Sequence, residues 1–174
     1  MIIFFRGKAA TGKSTVARYL RETHGLASLT KDQVFDQLLL EGMAWEEANQ
    51  VTYDHLANKI QAAHDQGQTL VVDIGLAHTP YFETFLSKMN LSRDGVIYHH
   101  FICSDDQVWS ERIHKRVLNP EGPNQFFKSV EEAFGHYNNY QMTLLSGEHQ
   151  IDSARSLSSI QEDILKKIGL LSED

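Results

Sequence analysis

Cysteine is almost missing from this chain. A single one, Cys103, stands in 174 residues, so no internal disulfide can form, which agrees with a reducing compartment. Proline is nearly as scarce, with three, and two of them fall within Asn119-Pro120-Glu121-Gly122-Pro123, which is therefore expected to be a mobile loop. No apolar run approaches the ~18 residues of a membrane span. The opening run over 2–5 is too short for a signal-peptide core and has no basic region ahead of it. Positive charge is also in deficit. Sixteen Lys and Arg against 23 Asp and Glu leave a formal charge of -7 and a pI near 5.7, which argues against broad, sequence-independent nucleic-acid binding. Together these absences lead us to expect a cytoplasmic chain with no membrane segment. Length and an ordinary 41% hydrophobic content suit one domain over 1–174.

What is present is concentrated near the start. Gly7-Lys8-Ala9-Ala10-Thr11-Gly12-Lys13-Ser14 follows Ile2-Ile3-Phe4-Phe5 directly and leads into a helical pattern from Thr15 onward. The pattern G-x-x-x-x-G-K-S/T, flanked by strand and helix signals, describes a phosphate cradle. Gly7 lets the backbone leave the strand sharply, and Gly12 lets it pass close to an anion, so that successive backbone N–H groups aim at phosphate oxygens. Lys13 brings a mobile charge to the outer phosphates, the Ser14 hydroxyl suits a magnesium position, and the following helix turns its positive end to the same anion.

The rest alternates between strands and helices. The apolar run ending at Phe5 has the look of a central strand covered on both faces. Val16, Ala17 and Leu20 mark a helix stopped at His24-Gly25, and 26–29 is a second strand. Thr30-Lys31-Asp32-Gln33 has the form of a capping box opening a helix through Val34, Leu38 and Leu39. A long helix is expected over about 45–66 with Ala48, Val51, Ile60 and Ala63 inward, then a strand over 70–73. Thr79-Pro80 opens another helix. After the Asp94-Gly95 turn come a strand over 96–103, helices near 105–118 and 129–140, a strand over 149–152 and a helix over about 157–168. This order predicts a parallel sheet of about five strands with helices on both faces, and ligands at the carboxyl ends of the strands.

Several side chains could carry chemistry. Asp73 ends an apolar strand beside the cradle, where it could hold a magnesium-bound water near Ser14, or merely start a turn. Arg112 and Arg116, four apart, share a helix face before the Pro/Gly loop; they suit a closing lid, around 112–125, or a solvated face. Asp32 complements a helix dipole, and it could also orient or deprotonate a hydroxyl attacking a γ-phosphate. His99 and His100 point to opposite faces of a strand and are expected to be structural rather than metal ligands. Cys103 is expected to pack without a local partner. Asn58-Lys59-Ile60-Gln61 lacks the final aspartate of N-K-x-D, and Asp73-Ile74-Gly75 is not D-x-x-G, so GTPase readings lose ground.

Taken together, Arg6-Gly7 leading into the cradle, Lys31-Asp32, the strand ending in Asp73, Arg112 and Arg116 before a lid, and Ile151-Asp152-Ser153 resemble the small P-loop kinases. More narrowly, they are similar to the group containing polynucleotide kinase domains, zeta toxins and chloramphenicol phosphotransferases. The resemblance implies a three-layer α/β/α sandwich, ATP with Mg2+ as donor, a nucleotide site over 7–15 (Gly7 through Ser14, with Thr15), Asp32 as the acceptor-activating carboxylate and Lys13 among the catalytic groups. It also matches Arg112 and Arg116 to lid arginines and puts the 153–155 loop, with Arg155, near adenine. Members acting on nucleic-acid ends tend to carry an arginine where this chain has Phe35, so a neutral small-molecule hydroxyl is the expected acceptor. Alternatives are a nucleoside, nucleotide or sugar-nucleotide kinase, and, in another class, an ATP-binding switch acting through a protein partner. On the acceptor side, Tyr53 and His55 are candidates without rank.

Overall fold

The computed structural model describes residues 1–120 and 126–172. Its elements in chain order are β1 (Ile2–Gly7), α1 (Lys13–His24), β2 (Ala27–Thr30), α2 (Lys31–Leu40), α3 (Trp45–Asp65), β3 (Leu70–Asp73), α4 (Thr79–Leu86), β4 (Val96–Ile102), α5 (Asp106–Leu118), α6 (Val130–Tyr137), β5 (His149–Asp152) and α7 (Leu157–Lys167). The strands form one sheet in the order β2-β3-β1-β4-β5, parallel at every pairing. Being central, β1 is buried at all six positions, first the apolar run over 2–5 and then Arg6 and Gly7.

Period-two alternation sorts the sheet into two faces. Ile3, Phe5, Phe101 and Ile151 pack under α1 and α7, against Val16, Leu20, Ile160 and Ile164. Ile2, Phe4 and Val72 pack under α3 and α4, against Leu56, Ile60, Phe82 and Phe85. The result is a three-layer α/β/α sandwich. A third cluster, built on Trp109, Ile113, Ala133 and Tyr137, joins α5 to α6 beyond the strand ends.

Local signals explain the boundaries. Gly25 ends α1 in the left-handed region, φ 66°, where its N–H reaches back to the Arg21 carbonyl. Asp105, Ser129 and Ser156 cap α5, α6 and α7 with their side chains. Four expectations are corrected. Thr30 does stand at the N-cap of α2, but its side chain makes no capping hydrogen bond, so the capping box does not form. Val51 faces solvent; the buried row of α3 runs through Ala48, Thr52, Leu56, Ile60 and Ala63, because a polar Thr52 whose hydroxyl donates to the Ala48 carbonyl tolerates burial. α6 stops at Tyr137 rather than near 140. Cys103 lies just beyond β4 and has a local partner after all, its thiol donating to the Asp105 carbonyl. The lid expected to extend to 125 includes 121–125, which lie outside the described residues. No helix among the described residues is long and apolar enough to cross a membrane.

Candidate active site

The strand order reverses at β1, which lies between β3 and β4, and the crevice at its carboxyl end receives the loop of 7–14. Gly7 is required there. Its φ is 137°, and a Cβ on it would lie 2.1 Å from the Phe101 carbonyl oxygen of β4. The chain then passes through Ala10 at φ 59° and Gly12 at φ 84°, which serves as N-cap of α1, so the loop opens onto that helix's free N–H groups. Lys13 is almost wholly buried and curls back to the carbonyls of Gly7 (3.1 Å) and Lys8 (2.6 Å), while Thr11 also donates to Lys8 O. Burial holds the Lys13 ammonium below its ordinary pKa, and the carboxylates of Asp73 and Asp32 oppose that shift.

Register aligns the acids. Thr30 of β2 pairs with Asp73 of β3, which pairs with Phe5 of β1, so Asp73 and the start of α2 stand level with the loop. Asp73 is buried and bonded to the Ser14 side chain. Burial raises its pKa, and Lys13 and the Ser14 hydrogen bond oppose the rise. Asp32 is half-buried in the first turn of α2, 3.5 Å from Arg116 Nη2 and 3.9 Å from Lys31 Nζ. Lys13, Asp73, Asp32 and Arg116 are thus electrostatically coupled around one cleft of about 1140 Å³.

The two arginines of α5 divide their work. Arg116 reaches across the cleft to Asp32. Arg112 instead donates to Ser153 Oγ (2.9 Å) and Ser153 O (2.8 Å), fastening the loop after β5 to the cleft wall. Arg155 lines the same cleft but pairs with Asp163 of α7 at 2.7 Å. Tyr53 also lines it, with burial and nearby Asp32 raising its phenol pKa, whereas His55 is exposed and absent from the lining.

Sequence reasoning did not find two further features. The first is Arg6, wholly buried, which forms a bidentate pair with Glu148 (2.6 Å on both arms) and donates to the carbonyls of Ala77 and Thr143. Its signal was a charge abutting an apolar strand, which demands a partner, but nothing local names a carboxylate so distant. The second is a clamp on the Ala9 peptide. The Ala9 N–H donates to Tyr137 Oη and the Ala9 carbonyl accepts from Trp109 Nε1, both at 2.9 Å, with the Lys8 ammonium over both rings. His99 and His100 are buried on opposite faces, and among the described residues their ring nitrogens meet no hydrogen-bond partner. Among the described residues no group of three or more His, Cys, Asp and Glu could hold a metal ion by itself.

Comparisons with known proteins bear on this geometry. Three solved structures share the fold across nearly all of both chains. A protein of Chloroflexus aurantiacus J-10-fl assigned as a kinase is 17% identical, covers 95% of this chain and 96% of its own, and has a TM-score of 0.66. A sugar kinase from Janibacter sp. HTCC2649 is 16% identical over 97% and 94%, with a TM-score of 0.64. A gluconokinase from Sinorhizobium meliloti 1021 is 14% identical over 98% and 97%, with a TM-score of 0.63. No curated protein matches in sequence. Residues 2–137, which hold the phosphate loop, Asp32, Asp73 and both arginines of α5, match the AAA domain family, and the chain belongs to that family.

Proposed function

We propose that this chain transfers the γ-phosphoryl group of ATP to a hydroxyl of a small molecule. The observation that carries the reading is the convergence of Lys13, Asp73, Asp32 and Arg116 on one cleft at the carboxyl ends of the strands. A nucleotide-binding loop alone fits a switch as well as a kinase. A carboxylate opposite that loop, paired with an arginine from a separate helix, is what hydroxyl phosphorylation needs. The sugar kinase and the gluconokinase with the same fold support the same reaction type.

Each residue then has a role. Backbone N–H groups over 8–15 and the α1 terminus cradle the donor phosphates, with Lys13 swinging from the Gly7 and Lys8 carbonyls onto the outer ones. Ser14 and Asp73, already bonded to one another, have the oxygen chemistry to hold Mg2+, Asp73 through water; that ion, when bound, neutralises phosphate charge. Asp32 accepts the hydrogen bond of the acceptor hydroxyl and takes its proton as the new P–O bond forms and the bond from the γ-phosphorus to the bridging oxygen breaks, releasing ADP. Arg116, within reach of Asp32, stabilises charge spreading over the transferred oxygens, and Arg112 and the 153–155 loop hold the base side of the nucleotide.

The test is phosphoryl transfer followed by mass spectrometry, with Mg-ATP and a panel of hydroxyl compounds, in wild type and Lys13→Ala. We expect product only with wild type, and loss of ATP-induced thermal stabilisation in the variant, because it removes the ammonium seated in the phosphate loop itself. Unchanged stabilisation of Lys13→Ala by Mg-ATP would overturn the nucleotide assignment. Binding with hydrolysis but no transfer would favour a switch.

A further inference from the structure

We infer that Arg6 is a positioning residue for phosphoryl transfer: together with Glu148 it fixes one wall of the cleft, built from 75–81 and 140–148, relative to the phosphate loop, and so sets where an acceptor hydroxyl meets the donor. This rests on the kinase reading above and adds a residue to it.

Arg6 is the residue before Gly7, so its backbone moves with the phosphate loop. Its side chain serves other segments. All three guanidinium nitrogens are engaged: Nε donates to Glu148 Oε1 at 2.6 Å, Nη2 to Glu148 Oε2 at 2.6 Å and to the Thr143 carbonyl at 2.9 Å. Nη1 donates to the Ala77 carbonyl at 3.2 Å and to Thr79 Oγ1 at 3.3 Å. Glu148 in turn accepts the Leu145 N–H at 2.9 Å, and Thr79 Oγ1 donates to the Thr143 carbonyl at 2.7 Å. One guanidinium therefore ties the start of the loop to two stretches, 74–78 and 140–148, that lie in no helix or strand.

Those stretches carry the wall on the side of Asp32. Ala77, His78, Tyr81 and Tyr140 line the cleft, and the His78 ring lies 4.6 Å from that of Tyr81 and 5.0 Å from that of Tyr140. Tyr53 lines it too, and its phenol pKa is raised by burial and further by Asp32 and Tyr140, so one phenol senses both the wall and the proposed base.

The phosphate loop has supports of its own. β1 pairs with β3 through Phe5 and with β4 through Gly7, and Trp109 and Tyr137 hold the Ala9 peptide. Nor does stability require the ion pair. Both side chains are wholly buried, and desolvating two charges costs about what their attraction returns, so an apolar pair of similar volume would serve the fold as well or better. What an apolar pair could not do is hold three segments in one geometry, as the planar fork of an arginine does. A wall displaced by about 1 Å would cost roughly 10²-fold in transfer while leaving the nucleotide bound.

The experiment compares wild type with Arg6→Met/Glu148→Leu, which removes both charges together, and with Thr79→Val, which removes one hydroxyl from the network. The readings are the unfolding midpoint, the KM for Mg-ATP, ATP hydrolysis by water alone, transfer to gluconate, glucose, glycerol and uridine, and amide hydrogen exchange. We expect the double variant to keep its midpoint, its KM for ATP and its rate of hydrolysis, and to lose roughly 10- to 10²-fold of transfer through a lower kcat and a higher acceptor KM. Exchange should quicken over 74–78 and 140–148 and stay slow over β1 and α1. Thr79→Val should move transfer the same way by a smaller factor, and it decides alone if the double variant does not fold. Transfer equal to wild type in the folded variant would overturn this inference and leave the kinase reading standing. A parallel loss of hydrolysis and ATP binding would overturn it too, since that marks a residue supporting the loop as a whole. Hydrolysis by wild type with no transfer to any acceptor would sink the kinase reading, and this inference with it.

Discussion

Asp32 shows how little of the value of a carboxylate proposed to activate an acceptor need lie in stability. Its side chain is 45% exposed and its Arg116 partner 29%, so their 3.5 Å pair is worth only about 0–1 kcal/mol to the fold. Asp32→Asn should therefore leave the unfolding midpoint and ATP affinity nearly unchanged while lowering transfer by roughly 10²–10⁴-fold, the worth of a positioned base. Measuring the three on one protein separates a catalytic group from a helix-dipole partner, and a normal transfer rate would remove Asp32 from the mechanism. At this scale the sequence was informative wherever function dictates residue type at a strand end. The loop of 7–14 could be read because glycines, a lysine and a hydroxyl at that spacing just beyond an apolar strand have few other uses, whereas residue type alone left Asp32 a helix-dipole role and Asp73 a turn-starting role beside the ones proposed. Arg112 and Arg116 were found as a pair, but their separate partners, Ser153 and Asp32, depend on a helix orientation that four-residue spacing does not specify.

At the scale of elements, α5 and α6 act as a brace for the phosphate loop. Trp109 from one and Tyr137 from the other hold the two sides of the Ala9 peptide, and Ala10 next to it stands at positive φ without being glycine. Tyr137→Phe keeps the ring packing and removes the oxygen that accepts the Ala9 N–H. The orphaned donor should cost about 1–3 kcal/mol of stability, and transfer should fall through a misplaced loop more than through weaker acceptor binding. A midpoint and kcat both equal to wild type would show that Ala9 finds another acceptor. Such a brace was invisible beforehand, since a tryptophan and a tyrosine in amphipathic helices look like ordinary core. The helices themselves were legible from periodicity and caps. What failed was detail decided by tertiary packing: Val51 turned outward by the line Thr52 takes against the sheet, and Thr30 left without a capping bond.

The whole molecule carries a pH liability in its sheet. Burial holds His99 down to about 3 and His100 to about 4, against an ordinary 6.5, with Arg6 also disfavouring charge on His100. Both rings are neutral in the folded protein while the unfolded chain gains protons below about 6.5. Their contribution is therefore complete above that pH and is lost as pH falls toward 4 and then 3, with a slope approaching about 1.4 kcal/mol per pH unit for each ring. Urea unfolding between about pH 7 and pH 5 should show it, and His99→Phe should remove one proton's share of the slope. A flat profile would mean the rings are solvated in the folded state. The parallel pairing of β1 has a further consequence, for the time course of synthesis. Ile2 pairs with Leu70 and Val96, and Arg6 waits for a carboxylate 142 residues downstream. At translation rates of roughly 5–20 residues per second, the central strand and its charge leave the ribosome some 7–30 s before the last of these partners. Throughout that interval the nascent chain presents an unpaired apolar strand ending in an unmatched cation. Chaperone capture of the first 70 residues, rather than the final stability of the sandwich, is then what should govern the yield of active protein in the cell.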